Sequence, residues 1–329
     1  MAKLMRECTK HATTRPPLVL KWHKLCVAHT LCVPPPQAFN WNQNYNLMFL
    51  DNPCGVGFSF SPDESCFVTD QEQVGNDLTD ALEVFYDAFP DLLDNDLYIT
   101  GESYAGKYVP AFSSTVFNRD NGITLKGLSI GDGAMNPSEQ FVNYGDLLYY
   151  VGMVSSQQRD VFREYEKNMQ LSLDAGDLEG AFEFFDEMLN GDFQTSTYYG
   201  NVTGTTNYFN FQQGDCGDCQ PESYGDWVVT PAIRDKIHVG DLEYSAFNET
   251  VEVELKGDWM RGVVDMLVPL LESPDVKVLV YSGQNDIILG PPLTEQVRTK
   301  SEKEERENAR GKAPPLFTHT LHECPPLRS

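Results

Sequence analysis

Gly101-Glu102-Ser103-Tyr104-Ala105-Gly106 sets a serine between small residues two positions before it and two to three after it, directly behind the apolar run Leu97-Tyr98-Ile99. This spacing suits a nucleophile elbow, a strained strand-to-helix turn that aims a serine hydroxyl out of a sheet while small neighbours let the backbone pass. The chemistry available to such a serine is covalent attack on a carbonyl, which needs a base to take its proton and donors for the oxyanion.

A strand must come before that serine and a helix after it. Asp96 to Thr100 has strand length with aromatic and β-branched content, and Lys107 to Phe117 carries Val109, Phe112 and Val116 at helical spacing. In the α/β-hydrolase order of serine, acid, histidine, the acid stands downstream at the end of a buried strand. Val276-Lys277-Val278-Leu279-Val280-Tyr281 is an apolar strand, and the turn Ser282-Gly283-Gln284-Asn285-Asp286 delivers a carboxylate at its carboxyl end, so Asp286 is the candidate acid. Two histidines follow it, His322 as the candidate base and His319 as the fallback, while His238 precedes the acid.

Five collinear blocks resemble the serine carboxypeptidases over roughly residues 40 to 290. They are Leu47 to Phe60, Gly101 to Pro110, Gly127 to Gly133, Ile237 to Gly240 and Tyr281 to Asp286. The resemblance implies an enzyme that removes single residues from peptide C-termini through an acyl-enzyme on Ser103. Asp286 would orient the histidine, and the Tyr104 backbone N–H would donate to the oxyanion. Glu102 matches the family's recognition glutamate, which must share a proton with the substrate carboxylate because two like charges so close cannot both stay ionised; activity at acid pH follows. His322 keeps a His-x-x-Pro frame in His322-Glu323-Cys324-Pro325, preceded by Leu321 where the family has glycine. The family's Gly-Gly-Pro-Gly turn, source of a second oxyanion donor, has no counterpart in His23 to Pro36, although Arg15 to Trp22 looks like the strand that precedes it. Two alternatives therefore stand beside the peptidase: a catalytically impaired fragment or pseudoenzyme that binds a peptide or protein, and a carboxypeptidase-like acyltransferase. A lipase or esterase is disfavoured by Glu102 beside the serine.

The expected fold is an α/β-hydrolase with a mixed central sheet, helices on both faces and an inserted, largely helical cap. Residues 1–39 form a divergent N-terminal segment, 40–136 and 225–290 the core, 137–224 the cap, and 291–329 a charged tail. Thr69-x-x-Glu72 reads as a capping box opening a helix with Val74, Leu78, Leu82 and Phe85 on one face. In the cap, Leu178, Ala181, Phe182, Phe185 and Leu189 repeat at helical spacing, a pattern that favours packing over pocket lining. Arg298 to Lys312 is a mixed-charge run suited to a solvated helix or a disordered segment.

At 329 residues with 41% hydrophobic and 12% aromatic content the chain can bury a large core, and its net charge of −25 argues against nucleic acid as a partner. Peptide or protein substrates are the expected partners, and oligomeric state is open. Eight cysteines, at 8, 26, 32, 54, 66, 216, 219 and 324, allow many pairings; Cys216 and Cys219 favour a disulfide framework over zinc, since no second Cys/His pair stands at metal spacing. No metal, nucleotide or other cofactor motif is present. Asn201-Val202-Thr203 and Asn248-Glu249-Thr250 are glycosylation acceptors on a secretory route. The resemblance places the protein outside the cell or in a lysosome or vacuole, yet the first residues show no signal-peptide core and no run spans a membrane. Together these features suggest a truncated or mis-spliced form of a longer enzyme.

Overall fold

A computed structural model describes residues 20–22, as backbone, together with 40–62, 66–214 and 224–297. The N-terminal strands β1 (Leu20–Trp22) and β2 (Met48–Leu50) pair antiparallel, Leu20 opposite Leu50 and Trp22 opposite Met48. Helix α1 (Gln71–Ala88) buries Val74, Leu78, Leu82 and Phe85, as their spacing requires. Its N-cap is Asp70 and not Thr69, so the expected cap is displaced by one residue. Asp70 is the extended residue (φ −156°, ψ 170°) and accepts the Gln73 N–H at 2.9 Å, while Thr69 accepts from the Gln73 side chain.

Strand β3 (Leu97–Glu102) leads into α2 (Ala105–Asn118), and β4 (Leu125–Gly131) follows. The insertion then runs through α3 (Pro137–Gln140), α4 (Tyr144–Tyr150), α5 (Ser156–Asp174), α6 (Leu178–Phe185) with a π-helical turn over Asp186–Asn190, and α7 (Tyr198–Thr203). After it come α8 (Tyr224–Val228), α9 (Pro231–Ile237), α10 (Glu249–Trp259), α11 (Val264–Glu272), β5 (Lys277–Tyr281) and a helical stretch over 291–297.

The residues group into two units. The first takes the described parts of Met1–Leu97, Ala111–Leu125 and Cys216–Trp259. Here Gly75 of α1 lies against α2 so closely that a Cβ on it would stand 2.7 Å from the Ala111 carbonyl oxygen, and Arg119 spans the same pair by bonding Asp80 (2.5 Å) and Asn76 (2.9 Å). Phe58, Val228, Ile237 and Val239 form a buried cluster. The loop carrying Phe58 is shaped by Asp51, whose carboxylate accepts the Phe58 N–H at 2.8 Å, and a disulfide joins Cys54 to Cys66.

The second unit takes Tyr98–Pro110 and the described parts of Lys126–Asp215 and of the residues from Met260 onward. Its sheet has the order β3-β4-β5, with β4 and β5 parallel and Gly131 opposite Tyr281. The insertion packs through its own aromatics: Phe141 stacks on Phe185 at 4.2 Å, and Phe162, Phe182 and Leu189 are fully buried. These side chains are packing, as their spacing suggested. β5 departs from expectation. Its residues alternate between exposed and half-buried, with Leu279 57% and Tyr281 49% exposed among the described residues.

Candidate active site

Three strand ends build the site from residues of the second unit. At the end of β3 the chain turns into α2 through Ser103, which has φ +61°. A β-carbon is crowded in that region, so a serine there stores strain of about 1 to 2 kcal/mol that the surroundings must hold. They do so from both sides of the residue. The Ser103 N–H donates to the Gly131 carbonyl at 3.0 Å, and its own carbonyl accepts from Gly106 at 2.8 Å and Ala134 at 3.1 Å. The flanking glycines are needed for space: a Cβ on Gly101 would meet the Ala105 methyl at 2.6 Å, and one on Gly106 would fall on the backbone of Gly133 and Ala134. The elbow inferred from spacing is thus present with its steric cause.

Glu102, the last residue of β3, is exposed, and Ser103 and Tyr104 are half-buried. The Tyr104 ring meets Tyr108 edge-on, with centroids 5.0 Å apart. Lys107, one turn into α2, is buried and donates its ammonium to the Arg261 carbonyl.

Asp286 stands on the turn beyond β5, 8% exposed, with Oδ1 accepting the Leu289 N–H at 2.6 Å. Burial is the main reason that its proton affinity rises from the ordinary 3.8 to about 7; the Leu289 bond opposes the rise, and the charges of Asp132 and Glu102 add to it. The site therefore gathers Ser103, Glu102 and Asp286 at neighbouring strand ends. His322 and His319 lie outside the described residues, as do Cys216, Cys219 and the 298–312 charge run. His238 belongs to the first unit, where it ends α9 in a left-handed conformation (φ +58°), a structural position.

Sequence reasoning missed Asp132 and Tyr144. Asp132 follows β4 with φ +40° and accepts the Ser282 hydroxyl (3.0 Å) and the Gly283 N–H (2.6 Å). Tyr144, fully buried in α4, donates its hydroxyl to the Ile288 carbonyl at 2.8 Å; burial and the nearby Asp286 and Glu166 charges hold its own proton firmly. A polar residue between glycines at a strand end was the available signal for Asp132, and none marked Tyr144. Among the described residues, no group of three or more His, Cys, Asp or Glu side chains is arranged to hold a metal.

A profile described as serine carboxypeptidase matches residues 34–313. The chain belongs to the serine carboxypeptidase family. It is 38% identical over 269 residues to the venom serine carboxypeptidase of Apis mellifera (80% of this chain, 57% of that protein). It is 35% identical to the probable serine carboxypeptidase CPVL of Homo sapiens (78% and 54%) and 34% identical to the vitellogenic carboxypeptidase of Aedes aegypti (78% and 55%). The chain spans just over half the length of these curated relatives. Among solved structures, the prohormone-processing carboxypeptidase Kex1 of Saccharomyces cerevisiae superposes with a TM-score of 0.63 at 24% identity, covering 78% of this chain and 60% of that one. That likeness establishes the α/β-hydrolase fold.

Proposed function

We propose that the protein is a serine-type carboxypeptidase that hydrolyses C-terminal residues of peptides through an acyl-enzyme on Ser103, at acid pH. The observation that carries this reading is the strained, doubly anchored Ser103 at one strand end with the buried Asp286 carboxyl at another. In the reaction, Ser103 Oγ attacks the carbonyl of the last peptide bond while its proton passes to His322. The Tyr104 N–H stabilises the oxyanion, and the proton then moves to the departing amine. Water repeats the sequence on the ester and restores the serine. Asp286 orients the histidine as a carboxylate, a form favoured when an imidazolium stands beside it. Glu102 shares a proton with the substrate's terminal carboxylate.

A secreted or lysosomal or vacuolar setting fits this role, with peptides or proteins as the partners. No helix among the described residues is long and apolar enough to cross a membrane. A second reading, a catalytically impaired peptide binder, is favoured by one observation: His23 to Pro36 lacks the family's glycine turn. Losing one oxyanion donor costs about 3 to 4 kcal/mol of transition-state stabilisation.

Fluorophosphonate labelling of the folded protein between about pH 4.5 and 7.5, with Ser103→Ala and His322→Ala as controls, separates the two. Labelling that both substitutions abolish supports the peptidase, and release of a C-terminal amino acid from a peptide, set against ester turnover, then distinguishes it from an acyltransferase. A folded protein that never labels leaves the binder.

A further inference from the structure

We infer that Asp132 is a positioning residue for the acid: from the carboxyl end of β4 its carboxylate anchors the turn that delivers Asp286. The kinetic part of this inference rests on the carboxypeptidase reading, whereas the anchoring is a property of the fold alone.

Asp132 is locked in place before it holds anything else. Its N–H donates to the Tyr281 carbonyl at 2.9 Å, extending the β4–β5 pairing by one rung, and its φ of +40° turns the side chain away from an ordinary strand course. A residue other than glycine in that conformation costs energy, and aspartate is among those that tolerate it. One oxygen, Oδ1, then takes two donors at the start of the turn, the Gly283 N–H at 2.6 Å and the Ser282 hydroxyl at 3.0 Å. Bonds to an ionised acceptor are short and strong, and the Gly283 distance fits that class. The single Ser282 hydroxyl proton is shared between Asp132 Oδ1 and the Leu289 carbonyl, which lies 2.8 Å from Oγ, and the Leu289 N–H is the group that holds Asp286 Oδ1 at 2.6 Å. The two ends of the 282–289 turn therefore meet at Ser282, with Asp132 beneath one end and Asp286 held by the other.

The rest of the turn is clamped by backbone groups of the insertion. Ile287 and Ile288 donate to the Tyr208 carbonyl at 2.9 and 3.3 Å, and Phe211 donates to Asn285 at 3.0 Å. Side-chain substitution does not delete those bonds, so Asp132 is where the anchor can be tested. Among the described residues, the charged and titratable groups facing Asp286 are Glu102 from the end of β3, Asp132 from the end of β4 and Tyr144 from α4.

Two substitutions in the full chain separate the acceptor from the charge. Asp132→Gly removes the acceptor and relieves the backbone strain, which offsets part of the lost bonding; Asp132→Asn keeps an acceptor and removes the charge. The first readout is amide hydrogen exchange over 282–289, and the second is the pH dependence of Ser103 acylation by a fluorophosphonate. Asp132→Gly is expected to speed exchange across the turn and slow acylation by about 10- to 100-fold, the scale of a catalytic group displaced by an ångström. Asp132→Asn is expected to exchange like the parent and to acylate with the acid limb of its profile moved to lower pH, because one negative charge facing Asp286 is gone. Parental exchange and acylation in Asp132→Gly overturn the inference, and so does an Asp132→Asn protein as loosened as Asp132→Gly. If the parent chain never acylates, the carboxypeptidase reading fails, and exchange alone still decides whether Asp132 anchors the turn.

Discussion

Gly106 and Ala134 approach so closely that a methyl group on the glycine α-carbon would overlap the Ala134 backbone nitrogen. The neighbour is main chain, pinned by its own bond to the Ser103 carbonyl, and has little room to yield. Gly106→Ala should therefore cost about 1 to 3 kcal/mol, the range for overpacking a tight site, and should also slow serine labelling. Urea denaturation alongside labelling measures both, and an unchanged midpoint would show that the α2 start can slide off β4.

Ser103 carries the opposite trade. Because its φ of +61° is unfavourable for any side chain, Ser103→Gly should stabilise the fold by about 1 kcal/mol while abolishing labelling. Ser103→Ala abolishes labelling without that gain. Equal thermal midpoints for the two variants would mean that the elbow is not strained.

Asp286 sets a sign for stability against pH. With no imidazolium beside it, burial raises its proton affinity in the folded protein from the ordinary 3.8 to about 7. Between those values the folded chain binds more protons than the unfolded one, so this group favours the folded state at low pH and that contribution is lost as pH rises toward 7. The upper bound is about 3 to 5 kcal/mol. Asp286→Asn should flatten the stability profile across this window, and the difference between the two profiles isolates the group from the general repulsion of a net −25 chain. Parallel profiles would mean that Asp286 ionises normally.

The two glycosylation sequons are not equivalent. Asn201 is exposed on α7, whereas the Asn248 amide donates to Gly55 at 3.0 Å and its carbonyl oxygen caps α10 by accepting from Thr250 at 3.0 Å. A glycan on Asn248 would have to displace Gly55. Expression in a glycosylating host should give one glycan, removed by Asn201→Gln, while Asn248→Ala leaves the mass of the glycan unchanged and costs about 1 kcal/mol through the lost cap. Intact-mass spectrometry reads the first outcome and thermal melting the second.

The elbow was legible because its small residues are close in sequence, although only part of their cause is local: Gly101 is small because of Ala105 and Val109, whereas Gly106 is small because Gly133 and Ala134, beyond β4, pass against it. Helix α1 was legible too, since its apolar face is written at helical spacing. Its cap was misassigned by one residue because Thr69 and Asp70 are both competent, and only the extended backbone at Asp70 distinguishes them. The partners of Asp132 and Tyr144 lie about 150 positions away, at Ser282 and Ile288, and no sequence window holds both ends of such bonds. Leu279 and Tyr281 misled for a related reason, since an apolar run states a preference for burial and not what covers the strand.

The Asp286 turn borrows much of its framework from the insertion, through the Tyr208 carbonyl, Phe211 and the Tyr144 hydroxyl. The placement of the acid consequently depends on residues 144–211 staying folded against the turn. Proteolytic nicking between Tyr144 and Tyr208 would act as a remote off switch, silencing the serine without touching a residue that meets the peptide.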